Sequence, residues 1–158
     1  MDRRSILRLC RSAALGFMTL STSVLAQSEK TTAKNLIVGS WTLMIADNVG
    51  KEGNKAPGFG PLPKGTATFG GDGRYSLELM RSSGSEPPLR YAGTYTLDDA
   101  GKTLTLRVDQ SSLSNWRGTT QTGTLNFLTS DYLGWTQSTP FVASADFAGA
   151  ELIWSHAR

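Results

Sequence analysis

Two short stretches alternate apolar and polar side chains strictly enough to constrain everything around them. In "RYSLELM", Tyr75, Leu77 and Leu79 share one face while Ser76 and Glu78 take the other. In "TLTLRV", Leu104, Leu106 and Val108 oppose Thr103, Thr105 and Arg107. A period of two marks a half-buried strand, and a one-residue slip would turn either apolar row to water, so register is well specified. The intervening turns agree. "GGDGR" at Gly70 to Arg74 holds an Asp-Gly pair between "TATF" and "YSLEL", and "DDAGK" at Asp98 to Lys102 separates "GTYTL" from "TLTLRV". Asp and Gly tolerate the positive φ angles that tight hairpins demand, with Gly101 the left-handed residue of the second.

Downstream of the N-terminal leader no stretch sustains a helical period. The pattern predicts strands near Ile37–Ala46, Thr66–Phe69, Arg74–Met80, Tyr91–Leu97, Thr103–Asp109, Gly118–Phe127, Tyr132–Gln137 and Glu151–His156. Short strands joined mostly by tight turns indicate an all-β domain, either an up-and-down antiparallel barrel or a sandwich. Eight strands in a closed sheet leave room for packed side chains or one small ligand. Two connections, "DNVGKEGNKAPGFGPLPKG" and "RSSGSEPPLR", are too rich in Gly and Pro for regular structure and are expected over one mouth, as lids or gap-fillers.

The first residues read as an address. Arg3, Arg4, Arg8 and Arg11 form a basic head, Ala13 to Leu20 an apolar stretch, and Val24-Leu25-Ala26 a small-residue end. That is the order of a secretory signal peptide over residues 1–26, too short to span a bilayer at the required ~20 residues. The head "DRRSILR" fits the twin-arginine export pattern, with a general export signal as the alternative. The expected destination is the periplasm or the exterior. Residues 27–34, "QSEKTTAK", read as a disordered lead-in, and 35–158 as one domain. The chain has 16 Lys+Arg and 13 Asp+Glu; the leader takes four arginines and one aspartate, leaving 12 of each and a net charge of zero. The basic balance therefore belongs to the leader and gives no reason to expect nucleic acid as a partner. Cys10 lies in the leader, so the rest of the chain has no disulfide and depends on its core; about 130 residues bury roughly two-thirds of their unfolded surface, enough for one domain.

The stretches "LIVGSWTL", "NVGKEG", "FGPLPKGTATFGGDGRYSLELMR", "YAGTYTLDDAGKTLTLRVDQSSLSNWRGTTQ" and "AELIWSHAR" resemble the bacterial lipocalin-like domain, a branch of the calycin barrels, over nearly all of Leu36 to Arg158. The resemblance implies a barrel of about eight strands in which Trp41 packs near the closed end and Gly39 leaves space for it. In calycins an arginine of the last strand often caps this tryptophan. The last strand here offers His156 and Arg158. The family's longer insertion before "GTY" is replaced by "RSSGSEPPLR", so no lid contact is carried over from it.

Chemistry is sparse. With no cysteine after the leader and one histidine, His156, the sequence supports neither a metal site nor a Ser–His–acid arrangement, and no cofactor motif is present. Asp98 and Asp99 belong to a turn. What remains is a lining: Tyr75, Leu77, Leu79, Tyr95, Leu104, Leu106, Trp116, Phe127 and Trp135 are candidates for inward faces. The hydroxyls of Tyr75 and Tyr95, with Arg107 or Arg117, are candidates to orient a guest. "NWRG" makes Trp116 and Arg117 the candidate mouth pair. The leading expectation is a barrel that binds a small apolar or amphipathic molecule without transforming it. The alternatives are a cavity enzyme for an isomerisation or cyclisation, and a packed barrel whose loops dock a partner, with "APGFGPLP" as its apolar patch.

Overall fold

The computed structural model describes residues 33–142 and 144–158; the expected leader and most of the lead-in lie outside them. Residues 33–37 are helical. Nine strands follow: β1 (Gly39–Gly50), β2 (Lys55–Pro57), β3 (Lys64–Phe69), β4 (Arg74–Met80), β5 (Leu89–Leu97), β6 (Thr103–Ser111), β7 (Thr120–Leu128), β8 (Tyr132–Gln137) and β9 (Phe147–His156). Among the described residues one 3₁₀ turn, Ser114–Trp116, precedes β7. All pairings are antiparallel, the order is β2-β1-β3-β4-β5-β6-β7-β8-β9, and β1 also pairs with β9. The result is a closed eight-stranded up-and-down barrel with β2 as an extra strand beside the upper half of β1.

Three expectations are corrected. Ile37 is helical and β1 starts at Gly39; β9 begins four residues earlier than its apolar core indicated; and β2 was not foreseen. A three-residue strand carries too short a period to register in sequence.

The turns form as their residues require. Gly73 takes φ 82° and Gly101 φ 65°. The Asp72 carboxylate accepts the Arg74 N–H at 3.0 Å. That of Asp98 accepts the N–H groups of Lys102 at 2.7 Å and Thr103 at 3.1 Å. These backbone bonds, with Thr103 first, hold the Asp98 carboxyl below the usual carboxylate range. Three tight turns, at 70–73, 98–102 and 129–131, lie at one end of the barrel; the long connections lie at the other.

The hairpin end is closed by the Gly-x-Trp motif. The Trp41 indole N–H donates to the Ile37 carbonyl at 2.9 Å, which ties the helical turn across the barrel floor. His156 meets Trp41 edge-on with ring centroids 4.9 Å apart. Gly39 has φ 144°, and a Cβ there would lie 2.8 Å from His156 Nε2, so glycine is needed for both backbone and space. The cap is thus His156; Arg158 points away, 3.6 Å from Asp131.

The opposite end is closed by side chains from the long connections. Phe59 is buried, meets Phe141 edge-on at 4.8 Å, and lies under the Arg81 guanidinium at 5.1 Å. Its carbonyl accepts the Ser82 N–H at 2.9 Å, and its own N–H donates to Ala46 at 3.3 Å. Within "APGFGPLP", Gly58, Phe59 and Pro63 are buried, whereas Pro57, Pro61 and Leu62 are exposed. No helix among the described residues is long and apolar enough to cross a membrane.

Candidate functional site

The barrel interior is built from alternating inward rows. Tyr75, Leu77 and Leu79 of β4, Tyr95 of β5, Leu104 and Leu106 of β6, and Trp135 of β8 are all inward and buried. Trp116 is buried at the loop end, edge-on to Tyr91 at 5.3 Å. Two expected lining residues lie elsewhere. Arg117 is exposed: Trp116 turns in at the 3₁₀ turn, and Arg117 leaves it with an extended backbone. Phe127 is on the outer wall, because the register shifts between Leu125 and Phe127. Asn126 is the extra residue of that bulge, and it inverts the phase of the strand beyond it. Arg107, also considered, points outward to Asp109 at 3.5 Å.

The expected orienting hydroxyls are already engaged. Tyr75 donates to the Arg107 carbonyl at 3.3 Å, and Tyr95 to the Gly70 carbonyl at 2.8 Å. Burial raises both phenol pKa values, with Asp109 adding to the effect at Tyr75 and Asp72 at Tyr95. Rings fill the space between them: Phe69 lies 5.0 Å from Tyr95, 6.2 Å from Tyr75 and 6.3 Å from Trp135.

The unengaged polar groups are others. Tyr91 Oη, Gln121 Oε1, Trp135 Nε1, Gln137 Oε1 and Trp154 Nε1 are buried with no hydrogen-bond partner in the protein. All five belong to inward positions. Gln137 is opposite Gly123, with Gln121 two residues along the same strand. Trp135 Cδ1, the atom bonded to Nε1, would lie 2.8 Å from a Cβ on Gly123. The donor edge of that indole is therefore toward Gly123, the cross-strand partner of Gln137. Trp154 stacks on Trp135 at 5.7 Å with ring planes 14° apart. Tyr91 faces this group from β5 and meets Tyr75 and Trp116 edge-on. Its phenol pKa is pushed up by complete burial and then by Tyr75.

A buried polar atom without a partner costs roughly 1–3 kcal/mol, so these five inside the barrel form a polar demand. The inward strand positions described carry no Asp, Glu, Lys or Arg; a complementary group is thus neutral, offering acceptors to the indole and phenol donors and a donor to the amide oxygens. Sequence reasoning missed Tyr91, Gln121, Gln137 and Trp154. The available signal was period two: Tyr91 is in row with Tyr95, and Gln137 with Trp135, so each is a polar-tipped residue in an apolar row.

Two open grooves lie against the outer wall. One of about 740 Å³ is lined by Ser76, Glu78, Arg90, Asp109, Gln110 and Arg117 among others. The other, about 380 Å³, lies over Thr122, Thr124, Thr136 and Ser138. Glu78 is paired with Arg90 across β4 and β5. No group of three or more potential metal ligands occurs among the described residues.

No family model matches the chain, and no curated protein does. Among solved structures it is similar to a redesigned β-barrel, with a TM-score of 0.48 and 12% identity, covering 80% of this chain and 96% of that one.

Proposed function

We propose that this is an exported, lipocalin-like binding protein whose barrel holds a small, uncharged, amphipathic molecule without transforming it. The observation that carries the reading is the set of five unpartnered polar atoms on the inner surface, set among stacked rings. Apolar walls with a few convergent polar groups are what small-molecule sites provide. Catalysis is the weaker reading. The Tyr75 and Tyr95 hydroxyls are committed to backbone carbonyls, and burial keeps the phenols protonated, so they offer no base near neutral pH. The ring contacts around Phe69 favour a second reading, a fully packed scaffold.

One experiment separates them. The purified protein is titrated with a panel of neutral ring-bearing lipids, pigments and aromatic amides, read by tryptophan fluorescence and native mass spectrometry. Binding predicts a retained guest, altered emission from Trp135 and Trp154, and at least tenfold weaker affinity in Gln137→Leu. If the protein retains no guest from the panel, the packed-scaffold reading replaces this one.

A further inference from the structure

The outer wall is mostly threonine and charge, with one exception. Ile45 of β1 is opposite Ile153 of β9. Ile153 is opposite Gly134 of β8, and Gly134 is opposite Phe127 of β7. These four positions form a row across four strands, with Ile45 36% and Phe127 37% exposed. Met44 (47%) and Tyr132 (49%) flank it. The row exists because of two bulges. The register shifts between Leu43 and Ile45 in β1, and between Leu125 and Phe127 in β7. Strict alternation from the inward Leu43 and Leu125 would bury Ile45 and Phe127. Each bulge adds a residue and turns the following side chain outward. Two such re-aimed side chains on either side of Ile153 make a continuous apolar surface of about 400 Å², the scale that marks interaction sites on monomers.

We propose that this row is the interface of a twofold dimer of the chain. A twofold axis lying in the interface along the row turns two walls face to face and exchanges what lies above the row with what lies below it. Each side chain of the row then meets its own equivalent, Phe127 against Phe127 and Ile45 against Ile45. The rims are complementary under the same rotation. Above the row, Asp47 and Glu151 are cross-strand neighbours. Lys55 is bound to Glu151 at 2.5 Å, which leaves that rim one carboxylate in excess. Below it, the Arg158 side chain is 91% exposed and only loosely paired, 3.6 Å from Asp131. The rotation brings the acidic rim of each copy toward Arg158 of the other. Two patches of this size with their rims reach the lower end of specific interfaces, roughly 1,000–1,200 Å², and so a dimer in about the micromolar range. An apolar centre with a polar rim is also the anatomy of such contacts.

The test is analytical ultracentrifugation of the protein produced from the full sequence, from about 1 to 200 µM, a window that brackets weak interfaces of this size. The mass is expected to double with concentration. Met44→Lys/Ile45→Lys, both on exposed wall positions, is expected to raise the dissociation constant at least tenfold with an unchanged circular dichroism spectrum. Arg158→Glu, which touches no core residue, is expected to weaken the dimer, and Asp47→Lys/Arg158→Glu to restore it. A single-chain mass throughout the range overturns the proposal, whether the patch stays bare or retains lipid. So does association unaffected by Met44→Lys/Ile45→Lys, or no effect of Arg158→Glu.

Discussion

Raising the pH is the sharpest probe of this interior. Tyr75, Tyr91 and Tyr95 lie inside the barrel, and burial raises each phenol pKa above the ordinary value of 10.0. The folded state therefore keeps these protons at a pH where the unfolded chain releases them. Above pH 10 the unfolded state binds fewer protons, so stability falls as pH rises. Each phenol held fully protonated contributes about 1.4 kcal/mol of destabilisation per pH unit. Tyr75 and Tyr91 count in full; Tyr95, at the hairpin end, is discounted for solvent screening. The expected slope is about 3 kcal/mol per pH unit beyond about pH 10.5, enough to unfold a domain of ordinary marginal stability by about pH 13. The assay is phenolate absorbance at about 295 nm alongside far-ultraviolet circular dichroism. Phenolate from the interior should appear together with loss of the barrel signal. In Tyr91→Phe, which removes a hydroxyl without a protein partner, the slope should drop by about 1.4 kcal/mol per pH unit. Ionisation of three tyrosines near pH 10 with the barrel signal intact would refute the argument.

Three single substitutions test the barrel's ends and its outer wall. Gly39→Ala meets both a positive φ and His156, and should cost about 2–3 kcal/mol in denaturant unfolding; Gly134→Ala meets only the exposed ring of Phe127, which can swing aside, and should cost about 1 kcal/mol or less. Phe59→Ala removes the plug of the loop end. It should cost about 3 kcal/mol by thermal melt, and stopped-flow fluorescence should show a bound guest associating and dissociating at least tenfold faster.

Local pattern carried the wall of this barrel well and its ends poorly. The rows Tyr75–Leu77–Leu79 and Leu104–Leu106–Val108 and their two hairpins could be read directly, because period two and turn chemistry are local. Phe127 was read as inward because a bulge adds one residue without any compositional mark; Asn126 is no more distinctive than its neighbours. The sequence places Phe59 in a lid or gap-filling connection and in the "APGFGPLP" apolar patch. Its role as plug depends on bonds to Ala46 and Ser82, far away in sequence. His156 was recognised as a candidate cap, but its choice over Arg158 rests on the register of β9 against β1. The polar interior is marked in sequence only by Tyr91, Gln121 and Gln137 in otherwise apolar rows, and whether each has a partner depends on contacts between strands.

The contrast between the floor and the upper interior decides how that polarity is to be understood. Trp41, Trp135 and Trp154 are all fully buried, yet only Trp41 has a partner for its N–H. Tyr75, Tyr91 and Tyr95 divide in the same way, with Tyr91 alone unpaired. Missing partners are thus a property of position, confined to one inner surface along β7, β8 and β9 with Tyr91 facing it. Trp41→Phe should lose a bond that anchors the helical turn and destabilise the protein by about 1–2 kcal/mol. Trp135→Phe loses similar ring volume from a fully buried site but breaks no hydrogen bond, so it should cost about 1 kcal/mol less than Trp41→Phe in the guest-free fold while guest affinity falls. Equal losses of stability in the two variants would mean that the upper interior is an ordinary core and that its polar edges select nothing.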